Sequence, residues 1–405
     1  MSIDRSELDR LVTARGPPGD EYAVAQLFAE LIEPHVDEVR WDAMGNVIAT
    51  AYGNEDTHDG SVDGHDESAD DHDGTAGPVD RSPSVASTSA HEGDDPEEVM
   101  LAAHTDELAL LIDGVTDDGF LSFSMLGGHY RGYLLGRHVR VGPDGVPGVV
   151  GAKPRHFMDG DEKASLPETL HVDVGASDAD EVADLNVESG DYATWDRNLV
   201  DLANGRLAGR ALDDRIALAI LLAVARERSQ AHDSSGLAGD RTVHYVATVQ
   251  EEVGLRGARA AVHDVDPDVA IALEIFPTDD YPVDGERSSR VALGDGPVVE
   301  FGDGTSEYLF GGVLVDRRTR EWLQRAGAAA DVDLQHDVMI GGTTDATEFQ
   351  GVRGGRHAGA IAVPCRYTHS PVETIDLADA EETVKVLSAA LATDFPGRTD
   401  VRGRR

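Results

Sequence analysis

The chain has 405 residues, of which 77 are Asp or Glu and 34 are Lys or Arg, giving a formal charge of −43 at pH 7. That surplus excludes a surface built to grip nucleic acid or anionic lipid, both of which need clustered Lys and Arg. Apolar residues make up 40% of the chain, enough for a core, while Cys365 as the single cysteine excludes an internal disulfide framework.

In chain order, residues 20–36 place Tyr22, Ala25, Phe28, Ala29 and Ile32 on one helical face behind a Pro-Gly turn. Val39–Trp41 and Val47–Ala51 read as strands around a Met44-Gly45-Asn46 turn. Residues 54–98 carry fifteen acids against the single base Arg81, so that stretch is expected to be a disordered, solvated loop, its histidines included. Val99–Ala103 is a short apolar run bounded by charge, as a strand buried on both faces would be. From 113 to 206, short β-like pieces alternate with Gly-containing turns, which predicts an inserted small barrel or sandwich.

Strand–helix alternation resumes after the insert. Helices are expected over Asp214–Arg226, Arg256–His263, Arg317–Ala328, Asp345–Gln350 and Ala378–Thr393, and strands over Val243–Val249, Val269–Leu273, Val332–Met339 and Gly359–Pro364. The fold class is therefore α/β, a mostly parallel sheet flanked by helices. The catalytic domain is discontinuous, 1–112 and 207–397, with a frayed tail over 398–405. No run of about eighteen apolar residues offers a membrane span, and the N-terminus shows no Sec-type leader, so a soluble, cytoplasmic protein is expected.

In open α/β sheets, functional groups gather at the carboxyl ends of the strands. Here those ends carry His104-Thr105-Asp106-Glu107, Gln250-Glu251-Glu252, Glu274 and, through Arg366-Tyr367-Thr368, His369; Asp213 leads into the following helix. Two imidazoles and three carboxylates suit Zn²⁺ or a similar first-row cation, and one shared carboxylate would let the set hold two ions. Of the doubled glutamates, one can then bind metal while the other takes a proton from water. Each feature also has an ordinary reading: a surface His, a helix cap at Asp213-Asp214, a solvated Glu pair.

The segments AAHTDELALLI, GRALDDRIALAIL, VQEEVGLRGA and VPCRYTHSPVE resemble the signature regions of the tetrahedral (TET) aminopeptidases. These are dinuclear metallopeptidases, some of them labelled glutamyl aminopeptidase or endoglucanase. Asp42 with Gly45-Asn46, Gly127-Gly128 in the insert and Gly341 to Ala346 extend the likeness over nearly the whole chain. The resemblance implies that Asp213 bridges two divalent ions, zinc with cobalt or manganese as alternatives. It also implies that His104 and Glu274 complete one site and Glu252 and His369 the other. Glu251 would be the general base, and Asp106 would hold the ring of His104.

Peptides with a free N-terminus would be the substrates. The insert would mediate dimerisation, with dimers building a dodecamer. A carboxypeptidase or deacylase on the same core, or a glycosidase, is the alternative. The chain departs from the pattern with Glu274 where Asp is usual (leaving Asp279 or Asp280 as substitute ligands), with Thr343 in a glycine position, and with the long acidic stretch. Cys365 reads as a buried thiol; Arg366 and Tyr367 could equally contact substrate or position the His369 loop, and His357 and His129 are candidate pocket residues without an assigned role.

Outside the acidic stretch the chain still carries −29, and only Lys153, Lys163 and Lys385 are lysines, a composition resembling proteins of salt-accumulating halophiles. Withdrawing salt should therefore lower both stability and activity as repulsion among acids loses its screening. Unchanged melting and turnover between molar salt and dilute buffer would contradict this.

Overall fold

The computed structural model describes residues 2–53, 98–161, 169–235, 241–281 and 290–396. The expected acidic loop, apart from Glu98, and the expected tail lie outside them. The chain opens with a helix, Arg5–Thr13, that has no counterpart among the sequence expectations. Asp4 caps it by accepting hydrogen bonds from the Ser6 and Glu7 amides (2.8 and 3.1 Å), and Leu8, Leu11 and Val12 bury one face. The next helix runs Tyr22–Ile32 and buries Val24, Ala25, Phe28 and Ile32. Tyr22, expected in that face, is exposed instead; it lies in the first turn against Trp41, ring centroids 5.7 Å apart.

Strands follow in chain order: β1 (Glu38–Trp41), β2 (Val47–Ala51) and β3 (Glu98–His104). Then come β4 (Ala109–Val115), β5 (Phe120–Leu126), β6 (His138–Val141), β7 (Val146–Gly151), β8 (His171–Asp173) and β9 (Tyr192–Trp195). The last group is β10 (Val200–Asp201), β11 (Arg206–Gly209), β12 (Thr242–Thr248), β13 (Val269–Pro277), β14 (Val298–Gly304), β15 (Gln335–Ile340), β16 (His357–Arg366) and β17 (Glu373–Asp376). The main sheet is ordered β1-β2-β12-β3-β13-β16-β17-β11-β10, with β14 and β15 branching from β16. Its centre, β12-β3-β13-β16, is parallel, so those strands direct their carboxyl ends to one edge. Strands β4-β5-β8-β7-β6-β9 close into a separate barrel around Leu110, Ile112, Leu121, Val139 and Val172. The α/β sheet with an inserted small barrel is thus the observed architecture. The barrel strands span Ala109 to Trp195, and β10 and β11 belong to the main sheet.

The helix Leu212–Ser235 opens on the charged Asp213, Asp214 and Arg215 and is apolar all round from Ile216 to Ala225, and Leu212 to Ala225 are buried throughout. It lies across β3 and β13, with the helices Arg5–Thr13 and Leu377–Leu391 beside it. The helices Arg256–Val265 and Ala346–Gln350 cover the opposite face. Helix Arg317–Ala329 is capped by Asp316, and its Trp322 indole donates to the Thr393 carbonyl (3.0 Å).

Two strand expectations shift. The strand expected at Val332 begins at Gln335, because Val332 ends the preceding helix by donating its amide to the Gly327 carbonyl, with Asp331 at φ 56°. Strand β13 runs past Leu273 because its ladder with β16 persists to the Pro277–Cys365 pair, which places Glu274 inside the strand.

Glu300 on β14 is fully buried, and neither carboxyl oxygen has a hydrogen-bond partner among the described residues. Burial, with Asp303 adding repulsion, pushes its pKa well above the ordinary 4.5 of a glutamate. In the folded chain Glu300 stays protonated where the unfolded chain would ionise it, so stability falls as pH rises above about 4.5 toward the folded value. Glu300→Gln should therefore gain on the parent, by up to about 1.4 kcal/mol per pH unit across that window. Urea melts of the pair from pH 4.5 to 8 test this; a pH-independent difference would refute it.

Candidate metal centre

His104 ends β3 and is buried, with Thr105, Asp106 and Glu107 beyond it equally enclosed. Its Nε2 lies 3.0 Å from Asp213 Oδ1 and 3.9 Å from Glu274 Oε2. Its Nδ1 lies 3.2 Å from the Asp106 carbonyl and 3.6 Å from Asp106 Oδ1. His369 reaches in from the loop after β16: its Nε2 is 3.6 Å from Asp213 Oδ2 and 3.6 Å from Glu252 Oε2. The two oxygens of Asp213 thus face two different imidazoles. Potential ligand atoms of His104, Asp213 and Glu252 fall within 4.8 Å of one another, as do those of His104, Asp214 and Glu274.

The turn after β12 carries Glu251 and Glu252, and Asp106 holds it. Asp106 Oδ1 accepts from the Glu251 amide (2.9 Å) and Oδ2 from the Glu252 amide (3.0 Å). On the far side, Asn46 Oδ1 accepts from the Val249 amide (2.9 Å), while its Nδ2 donates to the Gly257 carbonyl (3.0 Å) and Asp42 (2.6 Å). A Cβ on Gly257 would stand 2.4 Å from Asn46 Oδ1 and from the Val249 carbonyl, so this approach requires glycine. Beneath the centre, the buried Arg210 and Arg215 both converge on Glu107 Oε1, which also accepts from the Gly16 amide (2.9 Å).

Electrostatics follow from this enclosure. Burial pushes the carboxyls of Asp214, Glu251, Glu252 and Glu274 well above the ordinary range, and neighbouring carboxylates add to the shift while His104 opposes it. For His104, burial disfavours the charged ring, yet Asp106 and Asp213 raise its pKa well above the ordinary imidazole range. Asp213 is lowered despite burial, through its bond to His104 and the charge of His369. Asp214 Oδ1 and Glu252 Oε1 are buried atoms without a hydrogen-bond partner among the described residues. Orphaned acceptors beside two imidazoles are what a divalent cation would satisfy, so the residues present fit such an ion.

All seven site residues expected from sequence, His104, Asp106, Asp213, Glu251, Glu252, Glu274 and His369, lie at this one edge. Two further contributors were passed over. Asp214 joins the His104–Glu274 group. Buried Glu373 accepts from the Asp213 amide through Oε2 (3.0 Å) and from the His369 amide through Oε1 (3.3 Å). The signal for Glu373 was its place four residues after His369 in THSPVE. Asp280, a substitute for Glu274 on sequence grounds, is engaged elsewhere, gripped by Arg366 through two bonds of 2.6 Å. Cys365 is buried, Tyr367 is exposed beside Tyr281, and His357 pairs with Asp316 (3.0 Å).

The M42 glutamyl aminopeptidase family model matches residues 85–386. The chain belongs to the M42 family. It is a peptidase, a hydrolase of peptide bonds, on the fold of the TET aminopeptidases. A solved aminopeptidase from the archaeon Desulfurococcus kamchatkensis superposes with a TM-score of 0.79 at 31% identity, covering 95% of this chain and 93% of its own. The TET1 peptidase of Pyrococcus horikoshii, which assembles into a tetrahedron or a large octahedral shell, gives a TM-score of 0.72 at 27% identity over 95% and 98% of the two chains. The lysyl aminopeptidase of Pyrococcus furiosus is 27% identical over 400 residues, 96% of this chain and 97% of its own.

Because Glu373 holds the backbone of both Asp213 and His369, Glu373→Ala should weaken zinc binding by about 10–100-fold. Competition titration against a chelating indicator measures this, and parent-like affinity would reduce Glu373 to a packing role.

Proposed function

We propose that the chain is a dinuclear metallo-aminopeptidase that trims N-terminal residues from short peptides. The observation that carries this reading is Asp213, whose Oδ1 and Oδ2 address His104 and His369 separately. A carboxylate so disposed suits bridging, with His104 and Glu274 around one ion and Glu252 and His369 around the other. Zinc suits this mix of imidazole and carboxylate, with cobalt or manganese as alternatives. When bound, such ions polarise the peptide carbonyl and acidify the attacking water.

Glu251 belongs to neither group of potential ligands, and Asp106 fixes its backbone. We assign it the proton: it accepts one from water and returns it to the leaving amine. The surplus of carboxylates, with Arg210 and Arg215 turned toward Glu107, favours a free α-amine over a terminal carboxylate. That speaks for an aminopeptidase over a carboxypeptidase. The barrel is the proposed contact between copies, with dimers as the unit of a dodecamer.

Glu251→Gln should keep two ions per chain yet lose about 10²–10⁴-fold in kcat, since only the proton acceptor changes. Free-amine peptides should be cleaved and N-blocked ones refused, and exhaustive chelation should abolish turnover. Parent-rate hydrolysis by the glutamine variant would remove Glu251 from the role of base. Chelator-resistant cleavage of a glucan would move the chain to another chemistry.

A further inference from the structure

The two halves of the centre differ in what builds them. His104 on β3 and Glu274 on β13 stand on the main sheet. The other half is walled by the barrel: the turn after β5, Gly127-Gly128-His129, lies against Glu252 and His369. A Cβ built on Gly128 would stand 2.6 Å from His369 Nδ1 and 3.0 Å from its Cε1. One built on Gly127 would stand 2.2 Å from Leu108 Cδ2 and 3.1 Å from Glu252 Oε2, the oxygen that faces His369.

The turn is firmly mounted. Gly127 takes φ 87°, and the His129 amide donates to its carbonyl (3.0 Å). The His129 ring bonds the Ala109 carbonyl of β4 (3.0 Å) and meets Trp195 of β9 edge-on at 5.6 Å. Gly128 is thereby held next to a residue, His129, that is anchored on two barrel strands. Unlike Gly127, Gly128 does not adopt a positive φ, so its backbone tolerates a side chain and the ring of His369 is what opposes one.

We propose that Gly128 is a positioning residue by which the barrel sets the orientation of His369, making the Glu252–His369 half of the centre, and not the His104–Glu274 half, dependent on the barrel. This rests on the two-ion reading. A barrel displaced relative to the sheet would then change the affinity of one ion while sparing the other. Loading of the two halves becomes unequal.

The test uses full-length protein stripped by a chelator and titrated with zinc. The parent should take up two ions, whereas Gly128→Ala should keep the first at parent affinity and bind the second at least about tenfold more weakly. A second measurement holds even if that variant folds poorly. Gly128→Ala should lower Tm in the metal-free parent but cost nothing in a His369→Ala background, where the opposing ring is gone. Two ions at parent affinity in Gly128→Ala, or an equal loss of Tm in both backgrounds, would overturn the proposal. A parent that takes up fewer than two ions would instead defeat the dinuclear reading, and the paired Tm comparison would still decide the contact.

Discussion

Everything at the carboxyl edge of this sheet answers to one constraint, the cost of enclosing many carboxyl groups together. Asp106, Asp213, Asp214, Glu274 and Glu373 are all buried there, against two imidazoles. Unpaired charges taken out of water are expensive, so each must find donors or counter-charge. The fold divides the work. Asp106 and Glu373 are supplied with backbone amides from Asp213, Glu251, Glu252 and His369. Asp213, Asp214, Glu252 and Glu274 keep oxygens directed at the imidazoles or left without a donor. The same bonds that satisfy the first set orient the second.

Much of this was legible in the chain because its logic is local. Short apolar runs followed at once by His, Glu or Asp announce strand ends, and in a parallel sheet those ends share an edge. What stayed hidden depended on partners distant in sequence. Glu274 reads as the residue after a strand, but pairing with β16 carries β13 past it. Glu373 looks like one more acid in an acidic protein until the amides of Asp213 and His369 are seen to end on it. Tyr22 has the spacing of a core position, yet the aromatic contact it makes lies on the outside. Helix Arg5–Thr13 had readable signals, the Asp4 cap and the Leu8, Leu11 and Val12 spacing, but it is short and begins at the fifth residue of the chain. The insert's limits were blurred for a related reason: β10 and β11 have the short-strand texture of the barrel and pair with the main sheet.

Two scaffolds meet at one centre. The parallel strands supply potential ligands by alignment, a geometry fixed by ladder register. The barrel supplies no ligand side chain; its turn contributes glycine backbone, which approaches a ring and a carboxylate more closely than any other residue allows. Elements that give only proximity leave little trace in residue type beyond the glycines themselves.

The residues of the centre are drawn from five stretches, 104–107, 213–215, 251–252, 274 and 369–373, spread over more than half the chain. No fragment of the polypeptide contains them all until the last of these has been synthesised and docked. A nascent or partly unfolded copy therefore does not yet hold this candidate centre, which comes together only when long-range assembly is complete.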